Sequence, residues 1–152
     1  MTAHSNPNAL PEGVSRRILP KTQPRRKRSS GSAPEGFSPR VKSLMDARSG
    51  GVCELDACGP VEVYHHRRPR GLGGTSAPWV NRAANGLALS DRCHLKAEGR
   101  ATGSSRRQSY ANGWLVSMNG TQQSAEVEVL YRGRLVRLSD DGSVTPVNGG
   151  AA

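Results

Sequence analysis

Residues 61–94 read VEVYHHRRPRGLGGTSAPWVNRAANGLALSDRCH, and the order of elements in this stretch decides the fold. Val61, Val63 and Tyr64 supply branched and aromatic side chains, so residues 61–66 are expected as a strand ending in the adjacent pair His65-His66. Residues 67–85, rich in Gly, Pro and Arg, read as a long functional loop. Leu87 and Leu89 alternate with smaller residues, which predicts a second strand over 86–90. Asp91 can then cap a helix running to about residue 98, with Cys93 and His94 in its first turn. The expected order is strand, loop, strand, helix, an α+β arrangement.

Outward from this stretch, Ser38-Pro39 suits a helix cap and first helical position. Val41, Leu44 and Met45 follow at helical spacing, so a helix is expected over 39–48, broken by Ser49-Gly50-Gly51. Beyond residue 101 the chain is Ser-, Arg- and Gln-rich. Residues 113–116 (Gly-Trp-Leu-Val) and 127–138 then suggest strands, with Tyr131-Arg132-Gly133-Arg134 as a hairpin turn. Trp114 is expected to pack against the main module in preference to stacking on a base. The domain reading is a basic tail over 1–38, a central module over 39–110, a β-rich extension over 111–147 and a frayed end over 148–152.

Charge narrows the partners. The 152 residues carry 22 Lys and Arg against 12 Asp and Glu, a formal +10, which favours a polyanion through phosphate contacts and counterion release. Residues 1–40 hold 8 basic and 2 acidic side chains, and residues 41–110 hold 11 and 6. The first segment, with six prolines among Ser and Gly, has too little apolar content to offset chain entropy and is expected to be disordered. Its run Pro24-Arg25-Arg26-Lys27-Arg28 reads equally as a loose hold on DNA or a solubilising tail. There is neither an apolar run of spanning length nor the apolar core of a secretory signal, so no membrane partner and a cytoplasmic location are expected. Three cysteines are an odd number, which favours a metal or reduced-thiol role over a disulfide framework.

His65-His66 closing a strand, Asn85 opening Asn85-Gly86-Leu87-Ala88-Leu89, and Cys93-His94 starting a helix together resemble the His-Asn-His (HNH) endonuclease family. The resemblance covers roughly residues 48–101. Further similarity to phage-encoded members lies in residues 63–74 and in Gly113-Trp114-Leu115-Val116. It implies a compact ββα-metal fold and metal-dependent hydrolysis of DNA phosphodiesters that leaves a 3′-hydroxyl and a 5′-phosphate.

The chemistry has its own requirements: an activated water, charge neutralisation at phosphorus and a stabilised leaving oxygen. Successive strand residues point to opposite faces, so His65 and His66 are expected to have different roles. The family pattern makes His65 a metal ligand and His66 the general base, for which an imidazole is suited near neutral pH. His94 would be the second ligand to the same divalent ion, with magnesium the first expectation and manganese, nickel or zinc as alternatives. Asn85 is expected to brace the loop carrying the base. Arg67, Arg68, Arg70 and Arg92 are expected to grip flanking phosphates.

One departure concerns zinc. Many members carry two cysteine pairs around a structural ion. Here Cys53 and Cys58 keep a usable spacing, whereas Ser90 stands where the thiolate partner of Cys93 would be. Either three thiolates bind zinc with water or a nearby side chain such as Asp91, or the site is lost and the cysteines pack as small apolar groups. Loss is the expectation. Resemblance to phage members further implies a terminase or other packaging protein as partner. The rival functions are a catalytically inactive DNA-binding module of the same fold and a basic RNA-binding protein, the latter disfavoured by few aromatics for stacking.

Overall fold

Ser38 begins the first helix as the sequence predicts. Its side chain accepts a hydrogen bond from the Val41 backbone N–H at 3.3 Å, with Pro39 at the first position of α1 (Pro39–Ser49). Gly50 ends the helix in the left-handed conformation, φ +64°, returning its N–H to the Asp46 carbonyl. The computed structural model describes residues 36–71 and 77–147. The basic-tail reading over 1–38 and the frayed end over 148–152 therefore lie almost wholly outside the described residues, as does the 72–76 part of the long loop.

Strand β1 (Val63–His66) pairs antiparallel with β2 (Gly86–Leu89), setting His65 opposite Leu87 and His66 opposite Gly86. Helix α2 (Asp91–Ala97) follows at once and packs on both strands. Its cap is Ser90, whose Oγ accepts from Cys93 N–H; Asp91, expected in that role, is instead the first helical residue. The intervening loop is not wholly irregular, because 3-10 turns form at Pro78–Asn81 and Ala83–Asn85.

Helix α1 is locked to this hairpin by a buried ion pair. Arg48 donates to both carboxylate oxygens of Glu54, at 2.6 and 2.8 Å, and to the carbonyls of Ala83 and Gly86. Glu54 also accepts from Ala88 N–H at 2.8 Å, so the pair's polar atoms are satisfied where water is excluded. Met45 and Phe37 pack here against Ala83 and Ala88. A Cβ at Gly86 would fall on the Met45 thioether and against Phe37, so any other residue there forces those buried side chains to repack.

The C-terminal part differs from the expectation in two places. Residues 113–116 are not a strand, and a helix absent from the sequence reading, α3 (Arg106–Ala111), precedes them with Ser105 as its cap. The expected hairpin is present as β3 (Val129–Tyr131) and β4 (Arg134–Leu138), turning at Arg132-Gly133, and β5 (Val144–Pro146) adds a third antiparallel strand. Val129, Val136 and Leu138 share one core with Leu87, Leu89, Cys93 and Trp114. Residues 111–147 thus complete the core of the central module. Trp114 is buried as expected, with its indole N–H donated to the Leu130 carbonyl at 2.8 Å. The result is a small α+β fold with two small antiparallel sheets among the described residues. No helix among them is long and apolar enough to cross a membrane.

Candidate metal centre

At the end of β1 the two histidines diverge, as strand geometry requires. His65 is 5% exposed, and its Nε2 lies 3.0 Å from the Trp114 carbonyl. A carbonyl only accepts, so Nε2 carries the proton and Nδ1 keeps a free lone pair. Burial, reinforced by His94 nearby, lowers the His65 pKa to about 4 against the pull of that carbonyl. The ring is therefore neutral at pH 7, the form in which imidazole binds a metal.

His94 projects from α2 with its ring centroid 5.2 Å from that of His65. One turn later Glu98, the residue capping α2, places a carboxylate oxygen 3.4 Å from His94 Nε2. His65, His94 and Glu98 each offer a donor atom, and these atoms lie within 4.8 Å of one another. Burial raises the Glu98 pKa, but the Arg100 hydrogen bond and the nearby His94 more than offset it, so the group stays below its ordinary value and ionised. Glu98 was missed by the sequence reading. Its signal was the i,i+4 spacing from His94, which puts both on one helix face.

His66 stacks on Phe37, with ring centroids 3.9 Å apart, and its Nε2 lies 3.0 Å from Asn81 Oδ1. That contact fixes the proton on Nε2 and leaves Nδ1 basic. Burial lowers its pKa, assisted by the Arg70 cation and opposed by Asn81. His65, His66, His94 and Glu98 all border one cleft of about 430 Å³.

Asn85 is fully buried behind the cleft. Its Oδ1 accepts from Arg68 N–H at 2.8 Å and from the Ser124 hydroxyl, while Nδ2 donates to the carbonyls of Arg68 and Val80. Both backbone groups of Arg68, two residues past His66, are thereby tied down.

The four arginines expected at phosphates separate. Arg67 is fully buried and donates to the carbonyls of Gly113, Ala84, Ser124 and Val127 at 2.7–3.1 Å. Arg68 is 4% exposed, stacks over Trp79 and donates to the carbonyls of Ser117, Gln122 and Gly120. Both serve irregular backbone that lacks ladder partners: all five N–H groups of Arg67 are engaged, and Arg68 is buried with its Nε and both terminal nitrogens on carbonyls. Arg92 is exposed but borders a different cleft, beside Asp56 and Cys93. Arg70 alone of the four lines the histidine cleft, and its buried Nε has no hydrogen-bond partner among the described residues. Arg100 and Arg106, which the sequence reading did not single out, line the same cleft.

The cysteines gather apart from the histidine cleft, whose lining includes none of them. Cys53, Cys58, Cys93 and Asp56 bring their donor atoms within 4.8 Å of one another, a second group able to hold a metal ion. Cys58 Sγ lies 2.9 Å from Cys93 Sγ, and Cys93 Sγ lies 3.1 Å from Asp56 Oδ1. The carboxylate is Asp56 and not Asp91, which is exposed and stands outside the group. Comparison with protein-family models, with curated proteins and with solved structures gave no match, so the chemistry of these groups carries the functional reading.

Proposed function

We propose that this protein is a metal-dependent hydrolase of phosphodiester bonds. Within that class we assign it as a DNA endonuclease of the His-Asn-His type, with β1, β2 and α2 as its ββα-metal module. The observation that carries the reading is the convergence of His65, His94 and Glu98 on one cleft that His66 also borders. Burial keeps the His66 and His65 rings from protonating, and Glu98 is held ionised beside them.

His65, His94 and Glu98 would hold a divalent ion, which supplies charge neutralisation at phosphorus and at the leaving oxygen. Two imidazoles with one carboxylate suit manganese, nickel or zinc better than magnesium, the first expectation. His66 takes the proton of the attacking water at Nδ1. Asn81 holds the ring for that transfer, and Asn85 holds the backbone just beyond it. Arg70, with Arg100 and Arg106, faces the phosphates on either side of the scissile bond. DNA as substrate is supported by the +10 charge and by this basic rim. Work beside a phage terminase, on DNA being packaged, extends the proposal by resemblance to phage members.

Incubation of purified protein with supercoiled plasmid in magnesium, manganese, nickel or chelator tests the assignment. Nicked or linear product that needs a metal and disappears in His94→Ala is expected. Tight DNA binding with no product under any of these metals would leave a non-catalytic binding module. Equal affinity for duplex DNA and structured RNA would overturn DNA as the substrate.

A further inference from the structure

The segment 52–60 folds into a tight knuckle: Cys53 and Leu55 turn into the core, while Asp56 and Cys58 stay exposed and are not placed by apolar packing. Val52 bridges Pro60, Cys53 N–H donates to the Gly59 carbonyl at 2.9 Å, and Ala57 N–H returns to the Cys53 carbonyl at 3.1 Å. Ala57 takes a left-handed conformation, φ +55°, that a residue with a Cβ adopts rarely. Inside this turn Asp56 Oδ1 accepts from Cys58 N–H at 3.1 Å, which turns the carboxylate toward the sulfurs. The first turn of α2 then brings Cys93 against it.

We infer that Cys53, Asp56, Cys58 and Cys93 form a second, independent metal centre for a thiophilic divalent ion of the zinc class, with Asp56 supplying the fourth ligand. Three thiolates and one carboxylate complete a four-coordinate set of protein donors, so Ser90 does not break the site. Ser90 serves the helix instead, since its hydroxyl caps α2 through Cys93 N–H and lies 2.9 Å from Cys58 Sγ. Simple packing fails as a rival because Cys58 and Asp56 are exposed, and a carboxylate is no partner for buried apolar sulfur. A Cys58–Cys93 disulfide fails as well, since it leaves the Asp56 carboxylate turned onto the sulfurs without a reason. Lys96, 3.7 Å from Asp56 Oδ2, offsets part of the negative charge such a set would carry.

The centre ties the segment between α1 and β1 to the start of α2. Because Cys93 precedes His94, it also fixes the helical turn that aims His94 into the histidine cleft. It neither depends on nuclease activity nor implies it.

The test uses the full chain carrying His65→Ala and His94→Ala, so that any remaining ion belongs to the thiolate centre. After purification under reductant, zinc loading and gel filtration, elemental analysis is expected to find close to one equivalent of zinc. Cobalt loading is expected to give sulfur-to-metal charge-transfer bands with the strong visible bands of a tetrahedral ion. Adding Asp56→Ala should weaken zinc binding against a chromophoric chelator by at least the tenfold to 100-fold, roughly, that loss of an outer-shell partner costs. Asp56→Cys, which replaces the carboxylate by a thiolate, should retain the ion. Absence of zinc from the parent double variant would overturn the centre, as would cobalt spectra without thiolate bands. A mass two hydrogens short, showing a disulfide in the protein as isolated, would do the same. Unchanged affinity in Asp56→Ala would remove Asp56 as a ligand. None of these readouts involves DNA, so they stand apart from success or failure of DNA cleavage.

Discussion

His65 and His66 are neighbours in the chain and opposites in surroundings, and that contrast can be measured. Burial holds His65 near a pKa of about 4, against 6.5 for a free imidazole. In metal-free protein the unfolded chain takes up a proton below pH 6.5 while the folded chain resists until about 4. His65 therefore favours folding fully above pH 6.5, and this stability is lost as pH falls through that window, by about 3 kcal/mol in total. Urea midpoints measured at pH 7.5 and pH 5 should show the loss, and His65→Gln should flatten it. The acid limb of cleavage should likewise lie below the ordinary histidine value, because the His66 pKa is also lowered by burial. Asn81→Leu removes the acceptor that orients His66 and should slow single-turnover cleavage about tenfold with little change in metal affinity, whereas Asn81→Asp should keep most of the rate. The histidine pair was legible because its chemistry is written in residue type. Glu98 was legible in principle from its spacing to His94. Asn81 was not, since only the 3-10 turn at Pro78–Asn81 brings it to His66.

Among the elements, strand β1 hands the chain to two arginines that look alike in sequence and differ in what surrounds them. Arg67 fastens the end of β1 to residues 113 and 124–127 through their backbone carbonyls, and Arg70 opens onto the cleft. Arg67→Ala should cost at least about 3 kcal/mol in chemical denaturation, because several buried carbonyls lose their donor together. Arg70→Ala should leave stability within about 0.5 kcal/mol. It should instead weaken DNA binding and lower the salt slope of log K by about 1. The reverse pattern, with Arg67 governing affinity, would restore the phosphate role first expected of it. Sequence could not separate the two, since burial of Arg67 depends on residues 113–128 crossing behind it. The same distance between cause and residue explains the false strand at 113–116. Trp114, Leu115 and Val116 are apolar because they enter the core as irregular chain, with Leu115 N–H donated to Ser109 and Val116 N–H to Arg67. Helix α3 escaped notice because Arg106-Arg107-Gln108-Ser109-Tyr110-Ala111 has no apolar stripe.

Across the whole molecule, the arrangement of charge and the order of elements were readable from the chain. The β1, loop, β2, α2 sequence carries its own punctuation in the Gly- and Pro-rich stretch 67–85 and the alternating leucines, although the helix cap falls on Ser90, one residue before the Asp91 expected. What the chain did not reveal is that residues 129–138 close the core, a pairing of distant segments with no local signal. The +10 charge has a consequence of its own. Removing residues 1–35, which hold 7 basic and 2 acidic side chains, should weaken binding to random duplex DNA and lower its salt slope by several. Metal affinity and the cleavage rate at saturating protein should stay the same. Titrations at several salt concentrations would read this directly. The most direct test of the catalytic centre is single-turnover cleavage with protein in excess over DNA, comparing wild type with His66→Ala at matched metal and DNA occupancy. A fall of roughly 100-fold or more with unchanged metal and DNA isotherms is expected, the size of a lost general base. Cleavage that persists at the wild-type rate in His66→Ala, or in protein stripped of metal, would contradict it.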